Sequence, residues 1–245
     1  MSGRIVLFGA TGYTGELLAR TLVGSGATPV LAARSAERLA RLAVELGGLE
    51  THVADVTDPA TVRALVERGD VLISTVGPFA RWGEPAIRAA IDAGATYFDT
   101  TGEPAFIRRV FEHHGPAAAR AGTALLTAFG FDFVPGNLAA ELALQVAGPA
   151  ATRLDVGYFS TGSGNISGGT RASSAGAVLA SSFALHGGRL LTERTAARVR
   201  RFTLDDGTVL QGSALAGRST SRCLCCIPGC ATSTFCSSAQ GSADG

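Results

Sequence analysis

Gly9, Gly12 and Gly15 recur at a spacing of three, with Thr11, Tyr13 and Thr14 between them. They follow the apolar run Ile5-Val-Leu-Phe8 and precede Leu17, Leu18 and Leu22. A buried strand that breaks on glycine straight into a helix leaves backbone N–H groups free at the positive end of the helix dipole. That arrangement binds an anion, and a pyrophosphate fits it. Gly9 would allow the turn, Gly12 the close approach of backbone to phosphate, and Gly15 the packing of helix on strand. The spacing is one residue longer in the turn than the commonest dinucleotide fingerprint, and a tight corner holding no ligand is the alternative.

Other reactive groups follow at intervals that suit the same reading. After Thr28-Pro-Val-Leu-Ala-Ala33, an NAD site would place Asp or Glu to bind the adenosine ribose. This chain has Arg34 and Ser35 there, with Arg38 one helical turn on. A guanidinium and a hydroxyl with no carboxylate suit a 2′-phosphate, so NADP is expected rather than NAD. A solvated arginine opening a helix is the alternative. Asp55 ends a third apolar segment and could accept from an adenine amino group or cap a turn. Val76, Gly77 and Pro78 end a fourth, where ligands of open α/β sheets lie. Asp99-Thr-Thr-Gly-Glu103 ends a fifth, and Asp132 follows a sixth. Glu103 could equally open a helix. His113 and His114, adjacent and without cysteine or acid at ligand spacing, are poor metal ligands. No catalytic pair identifies itself; Glu103, Tyr13 and Asp132 are the candidate proton donors.

One absence narrows the chemistry. None of the 21 basic residues is lysine. That excludes a Tyr-x-x-x-Lys reductase site, a P-loop lysine and any Schiff-base or PLP chemistry.

The elements that must position these groups alternate. Strands are expected at residues 5–8, 28–33, 51–56, 70–76, 96–99 and 122–128. Helices are expected from residue 16, then over 35–46, 57–68, 83–93, 105–112 and 137–146. Six alternations of strand and helix imply an α/β fold, a Rossmann-type doubly wound parallel sheet. Its domain is expected to span 1–148. After Gly148-Pro149, residues 152–160 alternate as an antiparallel strand, 170–185 read as helix, and Asp206-Gly207 centres a hairpin over 202–210. Residues 149–217 would therefore begin a second α+β domain.

Composition agrees with a globular enzyme: 46% hydrophobic and 17% charged residues can bury a core. A net charge of +1 gives no electrostatic footprint for nucleic acid. No apolar run is long enough to span a bilayer, none resembles a signal peptide, and no cysteine precedes Cys223. The expected location is the cytoplasm. Residues 218–245 change character: Ser-rich, without helix or strand period, and holding Cys223, Cys225, Cys226, Cys230 and Cys236. They lack the paired knuckles of a zinc site. They read as a disordered tail or an aberrant terminus on a truncated reading frame.

Five motifs occur in order: Gly9-Ala-Thr-Gly-Tyr-Thr-Gly15, Ser74-Thr-Val-Gly-Pro-Phe79, Tyr97-Phe-Asp-Thr-Thr-Gly-Glu103, Gly130-Phe-Asp-Phe-Val-Pro135 and Ser167-Gly-Gly-Thr170. Together they resemble the saccharopine dehydrogenase-like oxidoreductases, a group that includes trans-acting enoyl reductases of bacterial lipid synthesis. The resemblance covers residues 3 to 190. It implies a Rossmann domain, a substrate domain of which residues 149–217 would be part, and NADP-linked hydride transfer, with Gly9, Thr11, Gly12, Gly15, Arg34, Asp55, Val76 and Gly77 at the cofactor and Glu103 and Asp132 near the substrate. Tyr13, Thr14, Ser35 and Pro78 complete the expected cofactor set. Members of the family are longer than this chain.

The expected function is therefore an NADP-dependent reductase acting on an acyl or enoyl-type lipid intermediate, a small-molecule partner. An apolar substrate leaves peripheral membrane contact open, though no amphipathic basic helix supports it. The alternatives are a saccharopine-type amino-acid dehydrogenase using Arg81, Arg108 and Arg171 as carboxylate clamps, a non-catalytic NADP-binding redox sensor, and an inactive fragment.

Overall fold

The structure is a computed structural model, and it describes residues 3–131, 133–148, 151, 154–159, 182–186, 189–193, 199–214 and 232–237. Two compact units divide at Gly130/Phe131.

The first unit follows the sequence pattern. Its strands are β1 (Ile5–Phe8), β2 (Val30–Ala33), β3 (Thr51–Val53), β4 (Val71–Ser74), β5 (Thr96–Asp99) and β6 (Leu125–Leu126). They form one parallel sheet in the order β3-β2-β1-β4-β5-β6. The helices between them are α1 (Tyr13–Gly24), α2 (Ala36–Glu45), α3 (Pro59–Arg63), α4 (Phe79–Trp82), α5 (Glu84–Ala93), α6 (Pro104–Arg109) and α7 (Gly115–Ala121), with a π-helical turn at Val110–His114. The apolar runs of β1 and β2 feed two cores because successive side chains point to opposite faces. Val6, Phe8, Val30 and Ala32 pack with Val62, Ile87 and Phe106 on one face. Leu7, Leu31 and Ala33 pack with Leu39, Leu42 and Ala43 on the other. This is a Rossmann-type fold.

Several boundaries shift for identifiable reasons. Helix α3 ends at Arg63 rather than Arg68: the Leu65 amide already turns to Val62 O at 3.2 Å, and the Glu67 amide donates to the Asp70 carboxylate at 3.0 Å. The same carboxylate takes Arg4 Nη2 at 2.8 Å and the Arg4 amide at 2.8 Å, pinning the start of β1 to the start of β4. β6 is two residues long rather than seven: Gly122 caps α7 in the left-handed region, and Thr127 and Ala128 turn back to Asp99. The Gly77–Pro78 peptide is cis, and Gly94 stops α5 with φ +73°.

The second unit contains α8 (Val134–Ala147), β7 (Leu154–Tyr158), β8 (Ser182–His186), β9 (Arg189–Glu193), β10 (Val199–Thr203), β11 (Val209–Ala214) and β12 (Thr232–Ser237). The expected boundary at 148 and the observed one at 130 differ by α8, which packs Ala140 and Leu144 against Leu154 of β7. β10 and β11 form the antiparallel hairpin expected around Gly207, whose φ is +83°. Three expectations are corrected. β7 pairs in parallel with β12 rather than antiparallel. Residues 182–186, inside the expected helix, form a strand that pairs with β9; His186 lies opposite Arg189, and the Gly-Gly pair between them is a hairpin signal. Residues 232–237, inside the expected disordered tail, form β12, which lies between β11 and β8 in the sheet. The rest of 218–245 lies outside the described residues, as do residues 160–181.

Candidate nucleotide-binding site

The glycine turn is built by close contacts. Gly9 has φ +89°, and its amide and that of Ala10 both donate to Ala32 O on the neighbouring strand. A Cβ at Gly9 would meet Thr75 Oγ1 at 2.6 Å, and one at Gly15 would meet Gly9 O at 2.1 Å. Gly15 is thus the residue that lets α1 sit directly on the turn. Gly12 closes the turn through its amide to Gly9 O at 2.9 Å, and it is the N-cap of α1 with no side-chain cap. The first-turn amides of α1 therefore face outward, with no side chain serving them. Tyr13 and Thr14 stand exposed at that end of the helix.

Beside the turn runs a groove of about 420 Å³ across the carboxyl ends of β1 to β4. Gly9, Thr11 and Gly12 line it from the glycine turn, Arg34, Arg38 and Asp55 from the segments after β2 and β3, and Thr75, Val76, Gly77 and Trp82 from the segment after β4. Seven of the twelve expected cofactor residues, Gly9, Thr11, Gly12, Arg34, Asp55, Val76 and Gly77, thus line one groove. The shape fits a dinucleotide: glycines where a Cβ would clash, an uncapped helix N-terminus, and an arginine at the end of β2 with no carboxylate.

The basic residues lining the groove have different partners. Arg38 Nη2 donates to Thr11 O and lies 3.5 Å from Glu16 Oε1, so it braces the glycine turn. Ser35 Oγ accepts from the Arg38 amide at 3.3 Å and caps α2. Arg34 is exposed along the groove. Asp55 accepts from the Thr57 amide at 2.9 Å and the Thr57 hydroxyl at 2.8 Å. These bonds, with the nearby Arg34 charge, hold its carboxyl below the usual range. Asp55 therefore both turns the chain after β3 and faces the groove.

The carboxylate cluster after β5 is an internal brace. Asp99 is fully buried; its Oδ1 accepts from the Thr101 and Ala128 amides at 2.9 Å each, and its Oδ2 from the Thr127 hydroxyl at 2.8 Å. Burial still pushes its carboxyl up, against the pull of those bonds. Buried Tyr97 lies close by, its phenol raised well above the ordinary value by burial and then by the Asp99 charge. Glu103 reaches back to α4, accepting from the Phe79 amide and the Ala80 amide at 2.8 Å each. That makes Glu103 a positioning residue for the segment after Pro78, a role no spacing in the sequence reveals. Pro78 is exposed and opens α4. Asp132 lies outside the described residues.

The arginines weighed as carboxylate clamps are engaged elsewhere or not described. Arg108 pairs with Glu112 at 2.9 Å, Arg81 sits over the Trp82 ring, and Arg171 lies outside the described residues. His113 and His114 line a separate cavity with Glu84, Arg88 and Arg109. No metal-binding group of three or more ligands occurs among the described residues. Trp82, which the sequence reading did not single out, lines the groove and is signalled only by its place four residues after Pro78. Asp99, read in the sequence as part of the carboxylate cluster ending β5, is a hub whose partners include Thr127 and Ala128 of the distant β6 turn.

The comparisons agree with this geometry. Residues 5–126 match the family described as the saccharopine dehydrogenase NADP binding domain. A trans-acting enoyl reductase of Mycobacterium tuberculosis is 40% identical over 140 residues, which is 55% of this chain and 34% of the relative. One from Mycobacterium leprae is 41% identical over the same length. The match thus spans about a third of those curated relatives. Apo saccharopine dehydrogenase (L-Glu forming) from Saccharomyces cerevisiae shares the fold, with a TM-score of 0.63, 17% identity, and coverage of 96% of this chain and 55% of that one. Over residues 5–126 the chain belongs to the family of saccharopine dehydrogenase NADP-binding domains.

Proposed function

We propose that this chain is the cofactor-binding part of an NADPH-dependent reductase that acts on an acyl or enoyl-type lipid intermediate. The observation that carries the cofactor half is the end of β2: Ala33 is followed by Arg34, exposed along the groove, where an NAD site would hold a carboxylate. The likeness to trans-acting enoyl reductases supports the substrate class.

In this reading the first-turn amides of α1 hold the diphosphate, and Gly12 gives it room. Arg34 binds the 2′-phosphate, with Ser35 as a neighbouring donor. Arg38 keeps the glycine turn in shape through Thr11 O. Val76 and Gly77 line the path of the dinucleotide toward β5. Glu103 fixes α4, and so the wall of the groove, through two backbone amides. The bound nicotinamide would supply a hydride to the activated carbon of the substrate. Tyr13 and Asp132 stand as the proposed acids for the accompanying proton.

The test is a titration of the purified chain with NADPH and NADH. NADPH should bind at least tenfold more tightly (about 1.4 kcal/mol), and Arg34→Ala should remove most of that preference while leaving NADH binding unchanged. Equal affinities in the parent chain would sink the assignment of Arg34. The substrate class is checked by following NADPH oxidation with an α,β-unsaturated acyl thioester. Turnover there, and none with an amino acid plus an aldehyde, is the expected result.

A further inference from the structure

We propose that Trp82, the single tryptophan of the chain, is the stacking wall for the adenine base of the dinucleotide. The inference rests on the cofactor reading above and adds a residue that neither the motifs nor the family match assigns.

Three observations meet at this side chain. The first is where it borders the groove. Trp82 shares the cavity with Val56 and Thr57 at the end of β3 and with Val76 and Gly77 at the end of β4. None of the described lining residues comes from β5 or β6. This groove therefore lies over β1 to β4, and Arg34 lines it as well; the adenosine end of a dinucleotide belongs there in this topology.

The second is how firmly the indole is placed. The Trp82 backbone amide donates to Pro78 O at 2.9 Å. Glu103 holds the amides of Phe79 and Ala80, and Arg109 Nη1 donates to Ala80 O at 3.3 Å. Phe79 is buried against Phe106 at 5.6 Å between ring centroids. A four-residue helix with so many tethers fixes the backbone from which the indole projects. A preformed wall loses little entropy when a ligand packs on it.

The third is the state of the indole faces. The Arg81 guanidinium lies 4.3 Å from the ring centroid and covers one face. Trp82 is only half-buried and still lines the cavity. A flat ring backed by a cation and open to a groove suits a planar heteroaromatic base, and base–aromatic stacking is worth about 1–3 kcal/mol. The anionic end of the same half-ligand, its 2′-phosphate, would meet Arg34.

The experiment uses the whole chain and needs no turnover. Because Trp82 is the sole tryptophan, its fluorescence reports on this wall alone. The chain is titrated with adenosine 2′,5′-bisphosphate, with nicotinamide mononucleotide and with inorganic pyrophosphate, while calorimetry measures binding independently. The bisphosphate should quench Trp82; the other two should leave it unchanged. Trp82→Ala should weaken the bisphosphate about tenfold, and Trp82→Phe should stay within about threefold of the parent, both checked for a cooperative melt.

Calorimetric binding of the bisphosphate without quenching would overturn the inference and leave the cofactor reading standing. So would a Trp82→Ala variant of unchanged affinity. Quenching by the mononucleotide would move Trp82 to the nicotinamide half, and quenching by pyrophosphate would move it to the diphosphate; either overturns the adenine assignment. If neither the bisphosphate nor NADPH binds by calorimetry, the cofactor reading itself falls, and this inference with it.

Discussion

Asp70 and Asp99 are both buried carboxylates on this sheet, and they respond to pH in opposite senses. Burial raises the Asp70 carboxyl, but the side-chain bond from Arg4 and the amides of Arg4 and Glu67 outweigh it and leave the group below its ordinary value. Its contribution is present above the unfolded carboxylate range and is lost as pH falls through the folded value. Asp70→Asn should cost about 2 kcal/mol near neutrality, and the gap from the parent should narrow in acid; melts between neutral pH and pH ~3 check this. Asp99 runs the other way, because burial leaves its carboxyl above the ordinary value. Folding binds that proton more tightly, so this group favours the fold at low pH and loses that advantage as pH rises through the folded value. Asp99→Asn keeps an oxygen for the Thr101 and Ala128 amides, so it should be tolerated near neutrality and lack this pH dependence. Asp99→Ala strands both amides and should cost about 2–4 kcal/mol. The sequence marks such residues only by type. Asp99 and Glu103 looked like substrate-facing acids because each follows a strand; their amide partners at Thr101 and Ala128, and at Phe79 and Ala80, appear only once the loops fold together.

At the scale of elements, periodicity carried most of the first unit. The unbroken apolar runs of β1 and β2 and the helical spacing of Leu39, Leu42 and Ala43 specify two-faced burial, and the structure delivers it. Glycine marked the turn that matters most. Gly15→Ala would drive a Cβ to 2.1 Å from Gly9 O, where the obstacle is backbone. That overpacking should cost about 1–3 kcal/mol and abolish NADPH binding more completely than it lowers the melting temperature, a split that paired calorimetry and thermal melts would reveal. Illegible elements were those whose ends are set by long-range bonds. The Asp70 carboxylate holds the Glu67 amide out of any longer α3, and β6 is cut short by Asp99. In the second unit, composition rich in Ala and Ser suggested helix across residues 170–185. Pairing with β9 decides the state of 182–186 instead, as tertiary context overrides propensity.

For the molecule as a whole, the two larger cores lie entirely within residues 1–130. A chain of those residues should therefore melt cooperatively and retain NADPH binding within about threefold of the parent (roughly 0.7 kcal/mol). Loss of the cooperative melt would show that α8 or the second sheet is needed to hold the first. The second sheet has a different logic. β12 lies between β11 and β8 and also takes β7 as a parallel neighbour, pairing Ser233 with Leu154 and Ser237 with Ser213. During synthesis every one of those neighbours leaves the ribosome before the strand that joins them. Contacts so distant along the chain form slowly, and until they form, the waiting strands present open edges able to pair with another molecule. In the Rossmann-type unit only the pairing of β4 with β1 skips intervening strands; its other neighbouring strands follow one another along the chain. Refolding should thus be at least biphasic, with the quenching of Trp82 by nucleotide recovered in the early phase. Sensitivity to protein concentration should be confined to the late one.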